Sequence, residues 1–227
     1  MRWLKVALAA AAALPLLWFV WIGAHIAWYR THAPEQTAFM AQRMAELRTR
    51  NPKAQLRYQW VPYDRISTNL KRALVAAEDA KFADHAGFDW EGIQKALDKN
   101  RRKGQVVSGG STITQQLAKN LFLSPARSYA RKAEEAVITV LLELLLPKRR
   151  IFELYLNVIE WGNGVFGAEA AARRYYGIGA AALSAEQAAR LAAMTPSPRV
   201  FERNPGSAYL DGRTATILAR MPSAALP

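Results

Sequence analysis

From Val6 to Trp28 the chain carries no Lys, Arg, Asp or Glu. That length matches the roughly 20 residues a helix needs to cross a bilayer. In hydrocarbon only a helix or a closed barrel satisfies its own backbone, so the run is read as one spanning helix that tolerates Pro15. Arg2 and Lys5 precede it, which predicts a cytoplasmic N-terminus. Trp18, Trp21, Trp28 and Tyr29 thicken the outer end as an aromatic belt does, and His25 lies near that interface. Arg30 and His32 follow, so the charge asymmetry is modest. A cleaved signal peptide is the competing reading, but the apolar part is long and no clear A-x-A site ends it.

A chain of 227 residues suits such an anchor plus one domain. A hydrophobic fraction of 51% is ample for a core, and a net charge of +13 predicts attraction to anionic lipid, nucleic acid or phosphorylated substrates. Nucleic acid is set aside, because the domain is expected outside the cytoplasm. The absence of cysteine excludes disulfides and zinc–thiolate sites. Three histidines without an HExxH pattern argue against a histidine metal site.

The division expected is 1–30 for cytoplasmic stub and anchor (span about 6–28), 31–60 for a juxtamembrane stalk, and 61–227 for the domain. The stalk has a short helical pattern (Phe39, Met40, Met44, Leu47), a turn at Asn51-Pro52, and an extended piece before Pro62. Helices are predicted from Ile66 to Glu78, from Trp90 to Arg102, and after Thr112. A long one runs from about Ala126 to Leu146, with Ser124 as its cap and a wholly apolar second half that should be buried. Others cover Arg149 to Ile159, follow the capping box Ser184/Gln187, and span Tyr209 to Met221. Strands are few, and the fold class is mostly α.

The densest polar stretch is Gly109-Gly110-Ser111-Thr112-Ile113-Thr114-Gln115-Gln116-Leu117-Ala118-Lys119-Asn120. Its glycines free the backbone. Thr112 and Gln115 have capping-box spacing, and a helix N-terminus suits an anion. The bland reading is a loop followed by a wet helix face. A nucleotide P-loop is rejected, because Gly110 stands where the phosphate-binding lysine is needed. Upstream, Glu78 ends an apolar helix face beside Asp79. Both could be solvated acids, or Glu78 could be a base in a partly desolvated cleft walled by Phe82, His85 and Phe88. Arg131 and Glu135 are i,i+4 neighbours, either a surface pair or the lining of a cleft. Lys148, Arg149 and Arg150 add positive charge that by itself reads as a solvated helix end.

These segments resemble, in order, the signatures of glycosyltransferase family 51, the peptidoglycan polymerases. Glu78 to Asp89 is similar to the first signature, Gly109 to Asn120 to the second, Arg131-Lys132-Ala133-Glu134-Glu135 to the third, and Lys148 with Ile151 to Asn157 to the fourth. The resemblance covers about 60 to 210. Glu160-Trp161-Gly162 is similar to the monofunctional branch known from Gram-negative bacteria. Phe152 stands where leucine is usual, and Met194-Thr195-Pro196-Ser197 departs slightly from the pattern.

The resemblance implies a lysozyme-like helical glycosyltransferase domain on the outer face of a bacterial inner membrane. It implies Glu78 as general base and Glu135 as a second catalytic acid that orients substrate or a cation. Asp79, Phe82, His85, Ser111, Thr112, Gln115, Gln116, Lys119, Asn120, Arg131, Lys132 and Lys148 are then substrate-binding. Lipid II, a lipid-linked glycan chain and membrane lipids are the implied partners, with room for other cell-wall synthesis or division proteins. No cofactor is required, and a divalent cation, Mg or Mn, is allowed. The alternative is a membrane-anchored, peptidoglycan-cleaving lysozyme-like enzyme. No Ser-x-x-Lys occurs, so no transpeptidase activity is expected.

Overall fold

The computed structural model describes residues 2–105, 109–124 and 128–227, with side chains for Trp3 and, within those ranges, from Ala13 onward. The helices are α1 (Arg2–Trp28), α2 (Ala38–Arg50), α3 (Thr68–Glu78), α4 (Trp90–Lys103), α5 (Ile113–Phe122), α6 (Tyr129–Leu145), α7 (Lys148–Val158), α8 (Ala168–Tyr176), α9 (Ala185–Met194), α10 (Pro198–Arg203) and α11 (Ala208–Arg220). Three short strands, β1 (Arg57–Tyr58), β2 (Glu160–Gly162) and β3 (Val165–Phe166), form a small sheet in the order β1-β3-β2. β1 runs parallel to β3, pairing Arg57 with Val165, and β2 runs antiparallel to it with an irregularity between Glu160 and Gly162.

Local chemistry sets these boundaries. Ser67 caps α3 by accepting from the Leu70 N–H, and Ser184 with Gln187 closes a full capping box on α9. Pro147 precedes α7, where its missing N–H costs nothing. The N-cap of α6 is Ser128, not the expected Ser124, so the helix starts later than the apolar pattern implied; the expected start at Ala126 lies outside the described residues. Its second half also departs from expectation. Ile138, Leu142 and Leu146 are buried, but Val137, Val140 and Leu144 share an exposed face. Seven-residue spacing puts these three on one stripe that the domain leaves uncovered.

α5 lies at the centre, packed on α6, α7 and α2, while α3 packs on α9 and α9 on α11. Phe82, Phe152, Tyr155, Trp161 and Phe166 are fully buried, with the Phe82 and Phe152 rings 5.4 Å apart. α1 packs along α6, and Ile22 and Ile26 are fully buried there. Just beyond α1, Arg150 donates from Nε to the Tyr29 carbonyl and from Nη2 to the His32 carbonyl, both at 2.7 Å. Arg150 is therefore a clasp and not a solvated helix end; Arg149 pairs with the exposed Asp64. Within 31–60, Met40 is buried, and Arg43 donates to the buried Glu160 at 3.0 Å. Among the described residues no helix is long and apolar enough to cross a membrane.

Candidate active site

Glu78 ends α3, and its carboxylate is held on both oxygens. Gln116 Nε2 donates to Oε2 at 2.8 Å, and the Thr195 hydroxyl lies 2.6 Å from Oε1. Arg213 of α11 stands 3.5 Å from the same Oε1. The Gln116 amide is itself oriented, because the Tyr155 hydroxyl donates to its Oε1 at 3.1 Å. Burial first, then the neighbouring Glu78 and Asp79 charges, push the Tyr155 phenol far up, so it stays a donor.

Asp79 turns the other way. Its Oδ2 accepts from the Ile113 N–H at 3.0 Å, and its Oδ1 lies 2.9 Å from His85 Nε2. The N-terminus of α5 thus holds an anion, as its amides suit, and that anion is a carboxylate of the protein's own. Thr112 and Gln115 complete the capping box, and the Thr112 hydroxyl donates to the Gly87 carbonyl at 2.6 Å. Gly110 has no left-handed backbone; a Cβ there would come within 3.1 Å of the Ile93 Cα on α4. Close approach, not an unusual φ, is what glycine provides at this position.

Across from Glu78, α6 supplies Glu135, whose side chain is 4% exposed. Arg131 donates to its Oε2 at 2.6 Å, and Lys132 pairs with its Oε1. Lys119 of α5 faces the same space. Burial holds its ammonium below the ordinary lysine value, with Glu135 pulling in the opposite direction. Glu78, Ser111, Gln115, Gln116, Lys119, Arg131, Lys132, Glu135, Thr195 and Pro196 line one cavity of about 310 Å³. A second cavity, of about 220 Å³, opens on the other side of Glu78 and Ser111 and is lined also by Asp79, Asp89, Gly109, Gly110 and Thr112. The carboxylate of Glu78 therefore sits where two clefts meet.

Four expected binding residues lie elsewhere. Phe82 is fully buried in the core. His85 sits behind Asp79, and its Nδ1 is buried with no partner among the described residues. Asn120 turns its amide to the Gln116 carbonyl at 2.7 Å. Lys148 donates to Glu143 at 2.8 Å and lies over the Phe82 ring. Glu143 also accepts from Thr114 at 2.6 Å, so this group braces the back of α5. Conversely, Arg213 lies in no motif, and Thr195 and Tyr155 lie in motif segments that gave them no site role; each lies far along the chain from Glu78, with no local spacing to reveal its place there.

The donor set does not fit a divalent cation held by the protein. Both Glu135 oxygens are taken by cations, and both Glu78 oxygens have partners. Among the described residues no group of three His, Asp or Glu side chains could hold a metal ion.

A family model described as "Transglycosylase" matches residues 43–222. A "Biosynthetic peptidoglycan transglycosylase" of Dechloromonas aromatica (strain RCB) is 62% identical over 226 residues, covering 100% of this chain and 98% of the relative. Relatives of the same description from Azoarcus sp. (strain BH72) and Laribacter hongkongensis (strain HLHK9) are 62% and 57% identical, each over 100% of this chain and over 97% and 100% of their own lengths. With most of its length matched by the model and all of it by these relatives, the chain belongs to the transglycosylase family of peptidoglycan glycosyltransferases.

Proposed function

We propose that the enzyme polymerises glycan strands by transferring a growing chain from undecaprenyl pyrophosphate to the 4-hydroxyl of lipid II. Glu78 takes the proton of that hydroxyl as its oxygen forms a bond to C1 of the donor sugar. The C1–O bond to pyrophosphate breaks, and undecaprenyl pyrophosphate leaves with the bonding electrons. An α-linked donor then gives a β-1,4 link, so the displacement inverts. The leaving group is already good and needs charge neutralisation more than an acid. Lys119, Arg131 and Lys132 supply that charge, while Glu135 fixes the two α6 cations. Ser111, Gln115 and Gln116 hold sugar and phosphate oxygens. Lys148 lies outside the residues that line this cavity, with its ammonium on Glu143, and is given no role in this scheme.

The observation that carries the reading is one cavity shared by Glu78 and three cations from α5 and α6. A cleaving, lysozyme-like enzyme needs a protonated acid for a poor sugar leaving group and has no use for those cations. In this reading the charge-free run Val6 to Trp28 spans the inner membrane with its N-terminus in the cytoplasm and the domain outside. The 27 residues of α1 reach about 40 Å at 1.5 Å each, enough for a bilayer core. The chain polymerises without cross-linking, having no Ser-x-x-Lys.

The test is labelled lipid II with the full-length protein in detergent or vesicles, beside Glu78→Gln. Polymer from the wild type and none from a folded Glu78→Gln is the expected result. Turnover by that variant near wild type removes Glu78 from the mechanism. Release of fragments from cell-wall sacculi, without polymer from lipid II, favours the cleaving enzyme.

A further inference from the structure

The hydroxyl of Thr195, at the C-cap of α9, faces two acceptors. Its Oγ1 lies 2.6 Å from Glu78 Oε1 and 2.8 Å from the Ala192 carbonyl oxygen. A threonine hydroxyl has one proton and two lone pairs. It can therefore donate to only one of these oxygens at a time. While Glu78 is ionised, the proton belongs on the carboxylate, where the bond is charge-assisted and the distance is shorter. Once Glu78 has gained a proton, the same hydroxyl can turn to the Ala192 carbonyl and accept from the Glu78 O–H. Rotation about one C–O bond suffices, and no heavy atom moves.

We propose that Thr195 is a positioning residue for Glu78, a hydroxyl that keeps the base hydrogen-bonded in both its protonation states by alternating between Glu78 and the Ala192 carbonyl. The proposal rests on the reading of Glu78 as general base. Leaving a buried polar atom without a partner costs more than the bond itself contributes, so a base that changes charge in each turnover needs a partner that can reverse. The other partners of Glu78 cannot reverse. Gln116 is fixed as a donor by Tyr155, and the Arg213 guanidinium has no acceptor. Thr195 also stands in Met194-Thr195-Pro196-Ser197, the segment where this chain departs from the family's pattern.

The charged and titratable groups around Glu78 are Arg213 from α11, Lys119 from α5, Arg131, Lys132 and Glu135 from α6, Tyr155 from α7, Asp89 at the start of α4, and its neighbour Asp79. Thr195→Val leaves all of them in place and removes only the hydroxyl. Steady-state polymerisation of labelled lipid II by the full-length protein, followed across pH, reads the effect. Thr195→Val is expected to lower kcat about tenfold with little change in KM, and to move the acidic limb of the pH profile to higher pH, because the ionised base has lost a donor. Thr195→Ser should restore both kcat and the limb. A Thr195→Val enzyme with wild-type kcat and an unmoved limb overturns the proposal, as does a lower melting temperature with an unmoved limb, which marks a purely structural role. Glu78→Gln in the same assay separates the two readings. If it is inactive while Thr195→Val matches wild type, only the role of Thr195 fails. If it is active, the general base itself is misassigned.

Discussion

The Asp79 carboxylate accepts the first N–H of α5, from Ile113, at 3.0 Å, tying the end of α3 to the helix that carries Gln116 and Lys119. A negative charge at a helix N-terminus also complements its dipole. Asp79→Asn keeps the volume and removes the charge, so it should destabilise the fold by about 1–2 kcal/mol in denaturant titration. Turnover should fall as well, because Glu78 and Gln116 lose their common register. Unchanged stability would show that α5 is held without Asp79.

Glu135 carries the two α6 cations at the cleft. Glu135→Gln leaves Arg131 and Lys132 without their counter-charge, and a side chain this buried cannot be replaced by water at no cost. Polymerisation should drop by about a hundredfold or more. A loss of only about twofold would reduce the group to an ordinary i,i+4 surface pair.

Lys119 illustrates a conflict between stability and function. Its folded pKa is lowered by burial, so the unfolded chain binds the proton more tightly and stability rises with pH through the window between the two values. Below both values the lysine is charged in either state, and holding that charge in the fold costs stability. Lys119→Met should therefore melt at a higher temperature than wild type at pH 7, with the advantage shrinking as pH approaches about 10.4, the unperturbed lysine value. Its polymerisation should nonetheless collapse. Equal melting temperatures at pH 7 would mean the ammonium is well solvated.

Arg150 offers a test of how α1 is seated. Arg150→Lys keeps the charge but cannot reach the Tyr29 and His32 carbonyls and Glu153 together. We expect a stability loss of about 2 kcal/mol and faster proteolysis between residues 30 and 37. Cleavage at the wild-type rate would show that Ile22 and Ile26 suffice to hold α1.

Much of the helical frame was legible because its signals are local. The capping boxes at Thr112 and Ser184 and the apolar periodicity before Glu78 lie within one or two turns of the residues they govern. The gathering of Glu78, Lys119, Arg131 and Glu135 came from ordered motifs, since no spacing rule brings α3, α5 and α6 together. What stayed hidden was decided by packing between distant segments. Thr195 and Arg213 reach Glu78 from 117 and 135 positions away, a separation no periodicity encodes. Phe82 and Lys148 sit in the right motifs but pack against each other away from the Glu78 cavity, Phe82 from the turn after α3 and Lys148 from the first turn of α7, a placement that only tertiary packing settles.

α6 is both the wall that bears Arg131 and Glu135 and the surface on which α1 rests. On the proposed reading, in which α1 lies in the bilayer, a membrane thickness that tilts α1 bears directly on the helix that also lines the Glu78 cavity.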